Sequence, residues 1–512
     1  MRKFFLITYK LIKDLNKIEK LIILISVFLS FILIIFSVKY FYKEIFGKKF
    51  KYNGILKEGI YQPINTLNPF LAENQSERML VNLIYDSLVR PSGNGGYELE
   101  LAKKITEIDK GLKYEIELKE AYWSNGERIN TKDVLDSLYY YKVYSNNPSR
   151  FYFDNIEAEK IDNYKLIFKL PTVDNLFIQK LSQIKIIPSK IWSKYEPDDW
   201  KNKDEELIKI SSGPFIFYRK NNNILEFIRN KYYKPFPYIN KIYVFIYPNT
   251  NEAYEKLKIK EINAIGGLMP KFIENNISRT LKIENIIIPR IIAIFFNSEK
   301  IKQSEIEDFK KNINYTELEK EIFNNKYFEV SNSIFSPSIR KILLLSPSQL
   351  VENKNYNSKK YDFKIIIPDN YLINKIANYF QKKYGIKIEI RNINEINNKI
   401  IPKGDYEGLI YGISYKLIPD LRYFFEENSV FNLTKENYPE IIKLIQELEI
   451  GPRDNFSKIL IEIDEKINKL PIIFLVNPYY PYILPRNLKN FNVYYLNDPS
   501  EKFVKIEEWY LE

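Results

Sequence analysis

Residues 21–38 read LIILISVFLSFILIIFSV, eighteen positions with no charge and only three serines as polar groups. At about 1.5 Å of rise per residue, such a helix is roughly 27 Å long, close to the thickness of a bilayer's hydrocarbon core. Lys20 and Lys39 bracket the run, and Tyr40, Phe41 and Tyr42 follow where interfacial aromatics sit. A buried core helix would carry polar positions along one face. A cleaved signal peptide would have a shorter apolar core followed by a small-x-small site, and Lys39-Tyr40-Phe41-Tyr42-Lys43 offers none. The expectation is an uncleaved transmembrane anchor from Leu21 to Val38, with residues 1–20 cytoplasmic and 39–51 a juxtamembrane linker. Charge does not set the orientation. Arg2, Lys3, Lys10, Lys13, Lys17 and Lys20 precede the span, and Lys39, Lys43, Lys48, Lys49, Lys51 and Lys57 balance them beyond it.

The remaining chain is long enough for two or three cores, since the whole has 512 residues. It contains neither Cys nor His. That removes disulfides, thiol nucleophiles, Cys/His zinc sites and triads needing an imidazole base, and it removes the cysteine that would carry a lipid anchor. No metal or cofactor is expected, and no carboxylate, Lys or Tyr constellation announces an enzyme. The formal charge is +12. Because the lysines are scattered among acids with no arginine stripe, this charge suits solubility and an anionic membrane surface, with no nucleic-acid partner. Tyr (41) and Phe (34) are abundant. Tyr keeps a polar tip for a wet cleft, although A/T-rich codons would enrich Tyr, Ile, Lys and Asn whatever the function.

Beyond Lys51, strands and helices alternate without a long linker. Residues 76–89 carry apolar positions at helical spacing, with Ser76 as a candidate cap. Residues 112–118 (LKYEIEL) and 164–170 alternate as half-buried strands, and Asn130 or Thr131 opens a helix with Asp133 in its first turn. Ser92-Gly-Asn-Gly-Gly and Asn221-Asn-Asn read as hairpin turns. Strand 361–367, helix 372–384 and strand 386–390 form a βαβ unit, which predicts parallel pairing.

In order and spacing these segments resemble the family 5 extracellular solute-binding proteins, the oligopeptide and dipeptide receptors of ABC importers. The resemblance is carried by Leu67-Asn68-Pro69, Leu83-Ile-Tyr-Asp-Ser-Leu-Val, Leu101-Ala102, Tyr114-Glu-Ile-Glu-Leu-Lys, Trp123-Ser-Asn-Gly-Glu and Asn130-Thr-Lys-Asp-Val. It continues through Ser212-Gly213-Pro214-Phe215 and Arg229-Asn230-Lys231-Tyr232-Tyr233. Ile294-Phe-Phe-Asn297, Gly404-Asp405-Tyr406 and Leu470-Pro471-Ile472 match more loosely, and the segment 306–323 lacks the family's Arg-x-Ala core. The resemblance implies a two-lobed periplasmic-binding-protein-like α/β fold, type II, of the large peptide-receptor class with an extra subdomain. Lobe I is expected over 52–280 with an insert at about 98–210, lobe II over 281–469, and a return to lobe I over 470–512. It also implies a monomeric, non-enzymatic receptor outside the cytoplasm that hands a peptide or peptide-like ligand to an ABC importer permease. A surface interaction or sensory protein on the same scaffold, without transport, is the alternative.

By the same resemblance, Glu73 and Gln75 fall on the segment that lines ligand after the Leu-x-Pro turn, and Tyr152 falls on an aromatic segment that approaches it. Tyr411, Ser414, Tyr415 and Phe474 complete the candidate set. Oligopeptide receptors carry a W-x-x-D-Y-x-x-P run whose Asp pairs with the peptide ammonium. Aligned on Pro419, this chain has Tyr415 in that place, and Asp420 stands five residues on. Losing the carboxylate removes a charge-assisted bond of about 1.5–3 kcal/mol.

Overall fold

The computed structural model describes residues 15–47, 53–273, 277–322, 327–346, 359–415 and 418–512. The apolar run lies in the helix Lys17–Gly47. An eighteen-residue window within Lys17–Lys39 has a mean hydropathy of 3.1 and buries nothing against the rest of the protein, so the helix is long and apolar enough to cross a membrane.

Two large sheets organise the chain beyond this helix. The first has seven strands in the order Leu281–Ile286, Tyr480–Pro485, Ala264–Gly266, Gly54–Ile60, Ile239–Ile246, Ile224–Arg229 and Phe215–Asn221. Gly54–Ile60 pairs in parallel with both neighbours, and the outer strands pair antiparallel. The second has six, in the order Phe328–Val330, Ile472–Pro478, Arg290–Phe296, Gly408–Ser414, Lys364–Pro368 and Lys387–Arg391. The predicted βαβ unit is present. Lys364–Pro368 and Lys387–Arg391 run parallel, joined by the helix Tyr371–Tyr384, which ends at Gly385 in the left-handed region (φ 73°) that glycine adopts without strain. Helices cover both faces of this sheet. Ile291, Ala293 and Phe295 pack in the core with Leu444 and Leu460, and Ile292, Ile294 and Phe296 pack in that of Phe309 and Phe380. Strand Arg290–Phe296 is therefore apolar at every position after its first, as a strand buried on both faces must be.

A four-stranded antiparallel sheet, Ala102–Ile108, Lys113–Leu118, Lys165–Lys169 and Glu157–Lys160, is inserted into the first lobe. Lys113–Leu118 buries every second side chain, as its alternation predicts. Phe70, just past the Leu-Asn-Pro turn, ties this insert down. Its ring meets Trp192 edge-on at 5.4 Å and Trp200 at 5.5 Å.

The chain crosses between the sheets twice, at residues 287–289 and at Tyr479. Asn477 binds the two crossings together, its side-chain amide donating to the Ile288 carbonyl (3.1 Å) and to that of Arg290. The C-terminal segment adds a third thread. Ile287 donates to the Tyr494 carbonyl and Leu496 to that of Ile287, at 2.9 and 3.0 Å. Both expected lobe boundaries thus fall one strand early. Leu281–Ile286 pairs within the first sheet, and Ile472–Pro478, expected in the returning segment, pairs within the second. Apolar patterning marks a strand without marking the sheet it joins.

The first helix also differs from expectation. It spans Gln75–Ile84 and is capped by Asn74, whose side chain accepts from the Glu77 amide while Glu77 reaches back, a reciprocal capping box. Ser76 instead donates to Gln62. The helix stops at Ile84 because the backbone beyond is claimed elsewhere. The Ile84 carbonyl accepts from Gly213, that of Asp86 accepts from Ile186, and Val89–Pro91 enters a hairpin with Tyr97–Leu99.

Candidate ligand-binding cleft

A cavity of about 340 Å³ lies where the two lobes meet at the crossings. The first lobe contributes Gly267 to Pro270, the crossings contribute Ile288, Arg290, Tyr479 and Tyr480, and the second lobe contributes Asn370, Tyr371, Gly412 and Ser414. Local sequence explains the shape. A Cβ on Gly266 would overlap the Tyr480 ring, so only glycine lets that ring lie across the strand. The Tyr61 hydroxyl donates to the Gly267 carbonyl at 3.2 Å and fixes the first-lobe wall.

Arg290 is the one charged residue among the described residues that line this cavity. Its Nε donates to the Ser414 hydroxyl at 3.0 Å across the paired strands. No described carboxylate comes within 4.0 Å of its guanidinium, and burial holds its pKa below the ordinary arginine value, with Asp498, Tyr61 and Tyr480 acting in the opposite sense. A second cavity, about 100 Å³, lies within the first lobe and is lined by Arg78, Arg90, Glu100, Asp498 and Glu507, among others. Several of its charges are already paired. Arg90 meets Glu98 and Glu507 at 2.8 Å each, and Arg78 meets Asp498 at 3.4 Å. The hinge-side cavity joins both lobes and carries a guanidinium unpaired among the described residues, whereas the first-lobe cavity is lined by one lobe and holds several ion pairs.

The lobes touch again away from the crossings. Helix Pro439–Ile450 of the second lobe ends against the insert, where Asn175 donates from its backbone to the Glu449 carbonyl (2.7 Å). Its side chain donates to the carbonyls of Leu448 (3.1 Å) and Gly451 (2.6 Å). Asn175 thus satisfies, from the opposite lobe, carbonyls that a helix end leaves without partners. Lys180, nearly buried, sits between Asp174 (2.8 Å) and Glu449 (3.3 Å), and Arg453 reaches back to Glu107 at 2.9 Å.

Of the seven candidate residues only Ser414 lines the hinge-side cavity. Tyr411 lies on the same strand but faces the other way, packed against the second-lobe core, its hydroxyl donating to Asn397 at 2.7 Å. Tyr415 is 3% exposed and Phe474 2%, so both rings belong to the second-lobe core. The Tyr415 hydroxyl donates inward to the Ile334 carbonyl at 3.3 Å, and burial pushes its pKa well up. Glu73 is exposed beside the first helix and accepts from Asn146 at 2.8 Å, with Gln75 half-buried as that helix's first residue. Tyr152 packs within the insert, its ring centre 4.7 Å from the ammonium of Lys180, which in turn meets Glu449. The side chain of Asp420 lies outside the described residues. The sequence reading missed Arg290, Tyr61 and Tyr480. Arg290 had a signal, since a lone cation heads an otherwise apolar strand, RIIAIFF.

Two α/β lobes joined by paired crossings, with a cavity at the hinge and polar contacts across the opposite side, define a receptor of the two-lobed periplasmic-binding-protein class. Residues 96–429 match the bacterial extracellular solute-binding proteins, family 5 Middle, and the chain belongs to that family. The oligopeptide-binding protein AppA of Bacillus subtilis (strain 168) is 22% identical over 487 residues, covering 87% of this chain and 89% of AppA. Among solved structures, the ABC transporter substrate binding protein CtaP from Listeria monocytogenes superposes with a TM-score of 0.74 at 17% identity, over 90% of this chain and 100% of CtaP. AppA from Bacillus subtilis in complex with a nonapeptide superposes at 0.66 with 19% identity, over 90% of this chain and 99% of AppA.

Proposed function

We propose that the chain is an extracytoplasmic receptor, rather than an enzyme, that holds a peptide or peptide-like solute between its lobes and delivers it to an ABC importer permease. The observation that carries this reading is the hinge-side cavity, bounded by both lobes and holding polar groups not yet engaged. Family membership and the nonapeptide complex of AppA support the ligand class. A ligand that touches both lobes only when they close shifts the open–closed equilibrium toward closure, and exclusion of water strengthens its hydrogen bonds. Ser414, on the strand that lines the cavity, is the proposed contact from the second lobe. The receptor acts as a monomer, tethered by the uncleaved helix at residues 21–38 with the large domain outside.

The test is calorimetric and thermal titration of the full chain in detergent micelles with pools of mixed peptides. Binding by at least one pool, with a raised melting temperature, is the expected result. Absence of heat and of any thermal shift with every pool overturns the peptide assignment.

A further inference from the structure

We infer that the hinge-side cavity receives a negatively charged group of the ligand, a carboxylate, on the guanidinium of Arg290. The inference rests on the receptor reading above and assigns the polarity of that same site. Buried cations elsewhere in this protein are paired: Arg90 with Glu507 (2.8 Å), Lys180 with Asp174 (2.8 Å), and Arg340 with Asp464 and Lys502 with Glu58 in close ion pairs. That is the rule for charge taken out of water. Arg290, half-buried in the cavity wall, has no such partner among the described residues. Its only side-chain hydrogen bond is the one from Nε to the Ser414 hydroxyl, so both terminal nitrogens remain free among the described residues. A guanidinium presenting two parallel donors matches the two oxygens of a carboxylate, which gives geometry as well as charge. Asp498 acts on it from further off and is itself engaged with Arg78 at 3.4 Å.

A second, independent observation has the same sign. Tyr415 stands where the family resemblance, aligned on Pro419, implies an ammonium-binding aspartate, and its hydroxyl is spent on the Ile334 carbonyl in the core. Among the described residues lining the cavity there is no Asp or Glu to greet an amine. The first turn of helix Tyr371–Tyr384, whose Asn370 cap also lines the cavity, adds positive potential there. With a cation and no carboxylate among the described residues at this end of the cleft, the preferred ligand presents an acid there instead of an amine.

The test uses the full chain in micelles with three probes: a peptide pool with free α-carboxylates, the same pool as C-terminal amides, and glutarate as a small acid. The acid pool should bind about tenfold or more tightly than the amides. Glutarate should raise the melting temperature, and Arg290→Gln should abolish both effects. Arg290→Lys, which keeps the charge, should retain a reduced preference for the acid. Equal binding of acids and amides by the unmodified chain overturns the inference, whether or not a variant folds, and so does an acid preference that survives Arg290→Gln. If the pools bind alike and glutarate is silent, the inference fails while the peptide reading stands. If glutarate stabilises and neither pool binds, the peptide reading fails and the anion site stands. If nothing binds, both fall.

Discussion

Asp86 is 2% exposed under the first helix, and burial raises its carboxyl pKa well above the ordinary value. Glu100 adds to the rise, while Lys119, Arg90 and Lys185 oppose it. The backbone of Asp86 is anchored independently, its amide donating to Ser212 at 2.8 Å and its carbonyl accepting from Ile186 at 2.9 Å. Because the folded pKa exceeds the unfolded one, the contribution of Asp86 to stability is fully present below the ordinary carboxylate range. It is lost as pH rises through the folded value. Asp86→Asn removes this slope, so its stability relative to the parent chain should climb with pH, by up to about 1.4 kcal/mol per pH unit inside that window. Urea unfolding of both chains over a pH series checks it, and a constant difference would contradict the assignment. The candidate site was legible only in part at this scale. Ser414 was found through a motif, but Tyr415 and Phe474 were assigned to the cleft from their position in a run, and both rings point into the core. Position in a motif says which strand a residue rides on. Which face it takes is set by strand parity, and Tyr415 and Phe474 take the face covered by the helices Pro439–Ile450 and Phe456–Ile467.

At the scale of elements the sequence reading succeeds where the signal is local. The strand Lys113–Leu118, the Asn130 capping box and the parallel βαβ unit follow from alternation, cap chemistry and connection length. It stops where partners are distant. The sheet joined by Ile472–Pro478 and the docking of helix Pro439–Ile450 on the insert depend on residues hundreds of positions away. That docking has a measurable consequence. The side chain of Asn175 holds two carbonyls at the helix end and accepts from Arg453 at 3.3 Å, contacts that exist only while the lobes are together. Asn175→Ala removes them and leaves the backbone bond to Glu449. Each is worth about 1 kcal/mol net, about 3 kcal/mol together, so ligand should dissociate roughly a hundredfold faster, with little change in the melting of the unliganded protein. Stopped-flow dissociation measures this, and an unchanged rate would show that closure does not depend on this contact.

For the molecule as a whole, the proposed tether fixes which side of a membrane the lobes should occupy. The basic residues flanking the span are equal in number on its two sides, so charge does not bias the insertion. The extracellular character of the family is what places the large domain outside. The composition makes the topology directly testable, because a chain with no cysteine can be labelled at one chosen position. Ser193 is exposed on the insert. In intact cells a membrane-impermeant maleimide should label Ser193→Cys and should reach Lys13→Cys only after lysis. The labelled product should remain in the membrane fraction at the full mass of 61.3 kDa. The reverse labelling pattern would put the cleft in the cytoplasm and remove the importer reading. A shortened chain released into the medium would mean that the apolar helix is a signal sequence, and the tether would then have to be abandoned while the receptor stands.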